Sequence, residues 1–276
     1  MLECVVNISE GRDRRLLDRM ADAAGTDLLD VHTDPFHHRS VFTLLGEEAP
    51  RRLARTAVDL LDLTRHHGVH PRLGVVDVVP FVPLGDATMA EALGARDRFA
   101  TWAAAELAVP CFLYGPHRTL PEIRRRAWVD LSPDHGPREP HPRAGSICVG
   151  ARGELVAYNV VLKSPDLGLA RAVAAEIRGP HLRALGLQVG AAVQVSMNLI
   201  DPHLLGPAQA YDLVRSHAAV DSAELVGLVS GRVLAAIPQE RWGELDVGVN
   251  RTIEWRSAQS PEVRRQNWLR RQAEAE

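Results

Sequence analysis

The chain has 276 residues, 46% of them hydrophobic and 24% charged, with a formal net charge of -3. That composition excludes a disordered or fibrous protein, and the near-neutral charge offers no general attraction to a polyanion, so no nucleic-acid partner is expected. The longest apolar stretches, Val75 to Leu84 and Ala103 to Leu113, contain charges or prolines and fall short of the ~18 residues of a membrane span; with no signal-peptide pattern at the start, a cytoplasmic protein without a membrane partner is expected.

From the amino terminus, Glu3 to Ile8 reads as a strand, and the spacing of Leu16, Leu17, Met20 and Ala24 predicts a helix after the Gly11 turn. Leu28 to Val31 and Ser40 to Leu45 read as strands bracketing a polar loop. Arg51 to Arg65 reads as a helix with Leu53, Ala57, Leu60 and Leu61 on one side, and Gly74 to Val82 as a buried strand. The order is β-α-β-β-α-β, the ferredoxin-like arrangement. A helix over Met89 to Leu107 and a strand over Val109 to Leu113 extend it. Pro116 to Gly150, broken by Pro121, Pro133, Pro137, Pro140 and Pro142, reads as one long loop, and long loops inside compact domains are often functional.

The six-element order then returns. Glu154 to Val161, Leu185 to Val189, Val193 to Ile200 and Ala223 to Val229 read as strands, with helices over Leu167 to Ile177 and Pro207 to His217. The expected fold class is α+β: two packed ferredoxin-like (βαββαβ) subdomains, residues 1–150 and 151–250, with a ligand groove or tunnel between them. Residues 251–276, dense in Arg, Gln and Glu, read as a charged tail, an exposed helix or frayed segment. Cys4, Cys111 and Cys148 are odd in number and far apart, which argues for buried thiols rather than disulfides or a CxxC metal site.

Three polar segments could carry chemistry. In His66-His67-Gly68-Val69-His70-Pro71-Arg72-Leu73-Gly74, three histidines crowd one helix-to-strand connection, with Asp77 just beyond. A histidine titrates near neutrality and contributes ~10² to 10⁴-fold in rate as a positioned acid or base, and Pro71 restricts the backbone of His70. A solvent-facing polar turn is the plain alternative. His66 and His70 are also four apart, as in zinc-binding helices, but Gly68 and Pro71 oppose a helix through them and the HExxH glutamate is missing; no metal is expected. In the loop from Asp30 to Ser40, Arg39 offers a planar fork for a carboxylate, against the alternative of a surface ion pair. Pro133-Asp134-His135-Gly136-Pro137, followed by Pro140, Pro142 and Gly145, is either a preordered ligand loop or a connector.

Together these segments resemble the formiminotransferase family. Glu3 to Gly11 is similar to that family's E-C-V-P-N-x-S-E-G, with Val6 for proline. Leu28 to Gly46 resembles L-L-D-V-x-x-x-P-x-x-N-R-x-V-x-T-x-x-G, and the run through His70-Pro71-Arg72 to Pro83 resembles H-x-G-x-H-P-R-x-G-x-x-D-V-x-P-F-x-P. Shorter likenesses at Phe112 to Gly115, Gly150 to Arg152, Asn198 to Asp201 and Glu224 to Leu228 carry the match to about residue 235.

The resemblance implies transfer of the formimino group of N-formimino-L-glutamate to tetrahydrofolate as co-substrate, with His70 as catalytic acid/base. It implies that Gly136, Pro137, Pro142 and Gly145 border the folate site, and that the protein is a homodimer. Arg39, Arg72, His32, His38 and Arg152 are the expected substrate-binding residues. Two of these depart from the family pattern: His32 stands in place of an aspartate and His38 in place of an asparagine. The departures leave open a related donor such as N-formyl-glutamate, and a folate-binding protein without turnover remains the alternative from another class. Nothing in the sequence resembles the cyclodeaminase domain that some relatives carry.

Overall fold

Alternation with a period of two buries Cys4, Val6 and Ile8 of the first strand, β1 (Leu2–Ile8), on a single face. The Asp13 side chain accepts from the Arg15 and Leu16 amides and starts α1 (Arg14–Ala24), whose Leu17 and Met20 meet that face. A hairpin of β2 (Leu28–Asp34) and β3 (Arg39–Leu45) follows, with Val31 opposite Phe42. Next come α2 (Glu48–Leu60) and β4 (Val76–Pro83), which lies antiparallel to β1. The computed structural model describes the backbone of residues 1–68 and 71–274, and side chains to residue 268 apart from 69 and 70.

After β4 the chain forms α3 (Met89–Leu107), opened by a Thr88–Glu91 capping box, then β5 (Cys111–Tyr114), α4 (Leu120–Arg126) and β6 (Ile147–Ala151). The sheet order is β2-β3-β1-β4-β6-β5: four antiparallel strands in ferredoxin-like order, extended by two strands parallel to β4. The helices α1, α2 and α3 pack on one face. The other face carries a smaller cluster in which Ile123 of α4 meets Val78, Phe112 and Cys148.

The second sheet is built from β7 (Val156–Leu162), β8 (Leu182–Val189), β9 (Ala192–Leu199) and β10 (Val220–Val226), with α5 (Leu167–Ile177) and α6 (Pro207–His217). Its order, β10-β7-β9-β8, repeats that of β4-β1-β3-β2 strand for strand, and all its pairs are antiparallel. The fold is therefore α+β with two ferredoxin-like subdomains. By internal contacts one unit comprises Met1–Arg152 with the last helix, and the other Gly153–Ser260.

Several sequence expectations need correction. The segment read as a loop over residues 116–150 contains α4 and β6. Pro121 does not prevent α4, because it occupies the first turn, where no amide is needed, behind the Thr119 cap. β6 runs between two parallel neighbours with all five residues buried, so it lacks the alternation that marks a half-exposed strand. Helix α2 ends at Leu60 rather than Arg65; the Asp62 carboxylate caps the Thr64 amide and turns the chain. Residues 251–276 are not a single tail. Short α7 (Gly231–Ala235) and α8 (Ile253–Ala258) belong to the second unit, whereas α9 (Pro261–Glu274) returns to the first and buries Trp268 to 3% exposure. Cys4, Cys111 and Cys148 are buried free thiols. No helix among the described residues is long and apolar enough to cross a membrane.

Candidate active site

The connection between α2 and β4, residues 61–75, is the polar centre of the first unit, and His70 and Val69 within it lie outside the described residues. His66 is extended rather than helical, so the HxxxH helix does not form. Its ring stacks on that of His38 with centroids 4.1 Å apart, and its Nε2 donates to the His38 carbonyl at 3.0 Å. Arg72 Nη1 approaches His66 Nδ1 to 2.6 Å, and Nη2 donates to the His37 carbonyl at 3.2 Å. Gly68 is required by this crowding: a Cβ there would stand 2.7 Å from the His37 carbonyl oxygen and 3.0 Å from the His38 side chain.

Burial, helped by the charge of Arg72, pulls the His66 imidazole down to about 4. Burial also lowers His38, with Arg12 and Arg72 adding to it against the opposing pull of Glu10. Both rings are neutral at pH 7. A neutral His38 then accepts at Nδ1 from the Gly11 amide, at 3.1 Å. The backbone of His38 is left-handed, with φ +51°. Histidine and asparagine both tolerate that region, so the exchange of the family's asparagine for His38 is conformationally mild.

The turn that presents Gly11 is held by Glu10, whose Oε1 accepts from the amides of Gly11, Arg12 and Asp13 at 2.9, 2.7 and 2.9 Å. In the facing hairpin, Asp34 caps the Phe36 and His37 amides and binds the His37 ring. Burial raises the Asp34 carboxyl, but the hydrogen bonds and charge of His37 outweigh it and hold the group below its ordinary value.

Beneath the connection lies Asp77, 2% exposed. Its Oδ1 accepts from the Leu73 amide at 2.8 Å, and its Oδ2 accepts from Arg124 Nη2 at 2.6 Å and faces Arg39 Nη1 at 3.7 Å. Arg39 Nε in turn donates to Asn7 Oδ1 at 3.1 Å. Arg39 is accordingly part of a partly buried charge cluster, not a surface pair. Burial draws it down to about 10 against the support of Asp77. For Arg124 burial acts the same way, but Asp77 prevails and raises it.

The structure joins the 133–145 loop to this connection. Ser146 N donates to the Leu73 carbonyl, Val75 N to that of Ala144, and Leu63 N to that of Arg143, at 2.9, 2.9 and 2.7 Å. Gly145, at φ +71°, bridges Gly74, and a Cβ on it would lie 2.2 Å from the Leu73 carbonyl oxygen. Pro142 is exposed beside it. Gly136 and Pro137 are exposed farther along, where Gly136 (φ +86°) passes over Ala104 and Pro110.

His32 lies on β2 in the cross-strand row His32, Val41, Asn7, two strands or roughly 10 Å from Asn7. Arg152 lies elsewhere: its amide donates to the Phe81 carbonyl, at the end of β4 remote from Asp77 by roughly 13 Å. There it hydrogen-bonds Tyr114, whose hydroxyl burial pushes up. Arg124 escaped the sequence reading because α4 was hidden in a proline-rich stretch. Among the described residues no group of three or more His, Cys, Asp and Glu side chains could hold a metal ion.

Imidazoles and guanidiniums are thus gathered on one connection of a duplicated ferredoxin-like fold. Residues 1–152 match the formiminotransferase domain, N-terminal subdomain. The chain is 34% identical over 275 residues to a glutamate formimidoyltransferase of Streptococcus pyogenes serotype M1, covering 87% of this chain and 92% of that protein. It is 33% identical over 276 residues to a glutamate formimidoyltransferase of Thermoplasma acidophilum, covering 85% and 89%. With the formimidoyltransferase-cyclodeaminase of Sus scrofa it shares 32% identity over 276 residues, 85% of this chain and 51% of that longer protein. The chain belongs to the formiminotransferase family.

Proposed function

We propose that this protein transfers the formimino group of N-formimino-L-glutamate to tetrahydrofolate. The observation that carries the reading is the joining of the His70-Pro71-Arg72 connection to the 141–145 loop, through the Gly74–Gly145 bridge, in a chain of this family. Nitrogen five of tetrahydrofolate attacks the formimino carbon and gives a tetrahedral intermediate. The bond from that carbon to the glutamate nitrogen then breaks. His70 takes the proton released by the attacking nitrogen and returns it to the leaving amine, so the reaction is proton-neutral overall. Arg39 and Arg72 supply positive charge for substrate carboxylates, and alignment of the two reactants supplies much of the acceleration. His32 and His38 face the donor as hydrogen-bonding groups, Arg152 contacts a more distant part of the ligand, and Gly136, Pro137, Pro142 and Gly145 border the folate. We expect a homodimer.

The test is turnover by the purified protein of N-formimino-L-glutamate with tetrahydrofolate. Release of free glutamate with formation of 5-formimino-tetrahydrofolate is expected. Binding of tetrahydrofolate without any release of glutamate would establish the non-catalytic reading instead, and turnover of N-formyl-glutamate alone would reassign the donor.

A further inference from the structure

Arg124 stands outside the three polar segments in which the sequence places chemistry, yet among the described residues it makes the shortest contact to the buried carboxylate under the candidate site. It projects from α4, whose Thr119 cap and buried Ile123 fix the helix against Val78, Phe112 and Cys148. From there Nη2 reaches Asp77 Oδ2 at 2.6 Å, while the other carboxylate oxygen holds the Leu73 amide at 2.8 Å. Leu73 follows Arg72 directly and precedes the Gly74–Gly145 bridge. Asp77 is thus a two-sided tie: one oxygen fixes the exit of the His70-Pro71-Arg72 connection, and the other is held by α4.

We propose that Arg124 is a positioning residue for formimino transfer, acting through Asp77 to set the backbone of residues 71–74. Two features favour this over a merely structural salt bridge. The carboxylate it orients is spent on a backbone amide of the candidate catalytic connection, whereas a stabilising pair has no need of that partner. And Arg39, which also faces Asp77, stands at the longer distance of 3.7 Å, so among the described residues Arg124 makes the closest side-chain contact to the carboxylate. Without Arg124 the carboxylate turns toward Arg39 and slackens its hold on Leu73. A misplacement of this kind, even of about 1 Å, is enough to cost ~10²-fold in rate.

The kinetic part of this inference rests on the proposed transfer reaction; the exchange part does not. Arg124→Gln and Arg124→Lys are compared with the wild-type protein by amide hydrogen exchange over residues 71–76 and by steady-state kinetics. In Arg124→Gln the Leu73 amide is expected to exchange ~10-fold faster, because its acceptor is no longer fixed. In the same variant kcat is expected to fall ~10 to 100-fold with KM for both substrates within about threefold. Arg124→Lys, which keeps the charge but not the planar fork, is expected to recover only part of both losses, leaving exchange at Leu73 about threefold above wild type. A folded Arg124→Gln protein with wild-type exchange at Leu73, or with wild-type kcat, overturns the assignment. Should the glutamine variant fail to fold, the lysine variant decides: exchange raised about threefold supports the tie, and wild-type exchange reduces Arg124 to a stabilising role. Absence of transfer in the wild-type protein with accelerated exchange in Arg124→Gln would remove the functional reading while leaving the tie in place.

Discussion

The two units have the same strand order but join their second helix to their fourth strand in different ways. In the second unit α6 ends at His217 and β10 begins at Val220, so two alanines make the crossing. In the first unit the corresponding crossing spans residues 61–75 and holds the histidines, Arg72 and the two glycines that receive neighbouring backbone. The sheets differ in the same sense. The second carries a cross-strand ladder in which Ser196 Oγ donates to Asn159 Oδ1 at 2.6 Å and Asn159 Nδ2 to Glu224 Oε2 at 2.8 Å. At the base of the first unit's connection, two guanidiniums instead surround the Asp77 carboxylate. On the function proposed above, the copy of the fold with the long crossing carries the chemistry, and the copy with the short crossing is assigned to scaffold.

The most severe way to break this contrast is His70→Ala. If the long crossing carries the chemistry, kcat for formimino transfer falls ~10² to 10⁴-fold with the fold intact; wild-type turnover would show that the crossing is not catalytic. Next is Asp77→Asn, which strips a buried charge from Arg124 and the Leu73 amide. A loss of about 3 kcal/mol in urea unfolding is expected, since removing one member of a buried pair strands the other; an unchanged midpoint would mean that the cluster bears little load. The second unit supplies the control. Tyr158, fully buried, donates to the Leu245 carbonyl at 2.9 Å, and Tyr158→Phe should cost ~1 kcal/mol while kcat stays within about twofold. A large loss of kcat at unchanged stability would place chemistry in the unit assigned to scaffold.

The smallest effect concerns pH. His66 is held down to about 4 in the folded protein against an ordinary value of 6.5, so the unfolded chain takes up a proton first as pH falls. The stabilisation from its neutral ring is complete above 6.5 and is lost as pH drops from 6.5 toward 4, below which both states are protonated. Because the ring is partly exposed, the contribution is at most about 1 kcal/mol. His66→Gln should flatten the decline of Tm over that window by a small but measurable amount; an identical decline would assign it to other groups.

Much of this was legible in the sequence because the helices α3, α5 and α6 have clear ends: a capping box at Thr88, an Asp166 cap, a proline at position 207. The duplication was legible because both halves repeat period-two and period-3.6 patterns in the same order. The density of polar residues around His70 marked the connection. What escaped were features that only pairing creates. β6 is uniformly buried and short, so its neighbours and not its pattern define it. Arg124 acquires meaning only when α4 brings it to Asp77, 47 positions earlier in the chain. Trp268 looked like part of a charged tail because two tryptophans among arginines and glutamines do not reveal the surface they will cover.

That last helix has a mechanical consequence. With α9 docked on the first unit, through Trp268 and the hydrogen bond from Arg264 to the Thr26 carbonyl at 2.8 Å, the intervening chain is pinned at both ends. Were residues 153–260 to unfold while the remainder held, they would form a closed loop rather than a free strand. By the arithmetic used for covalent cross-links, closing a loop of roughly a hundred residues removes up to about 4 to 5 kcal/mol of disorder from the opened state. The clasp is non-covalent, so its benefit extends no further than the docking strength of α9 itself.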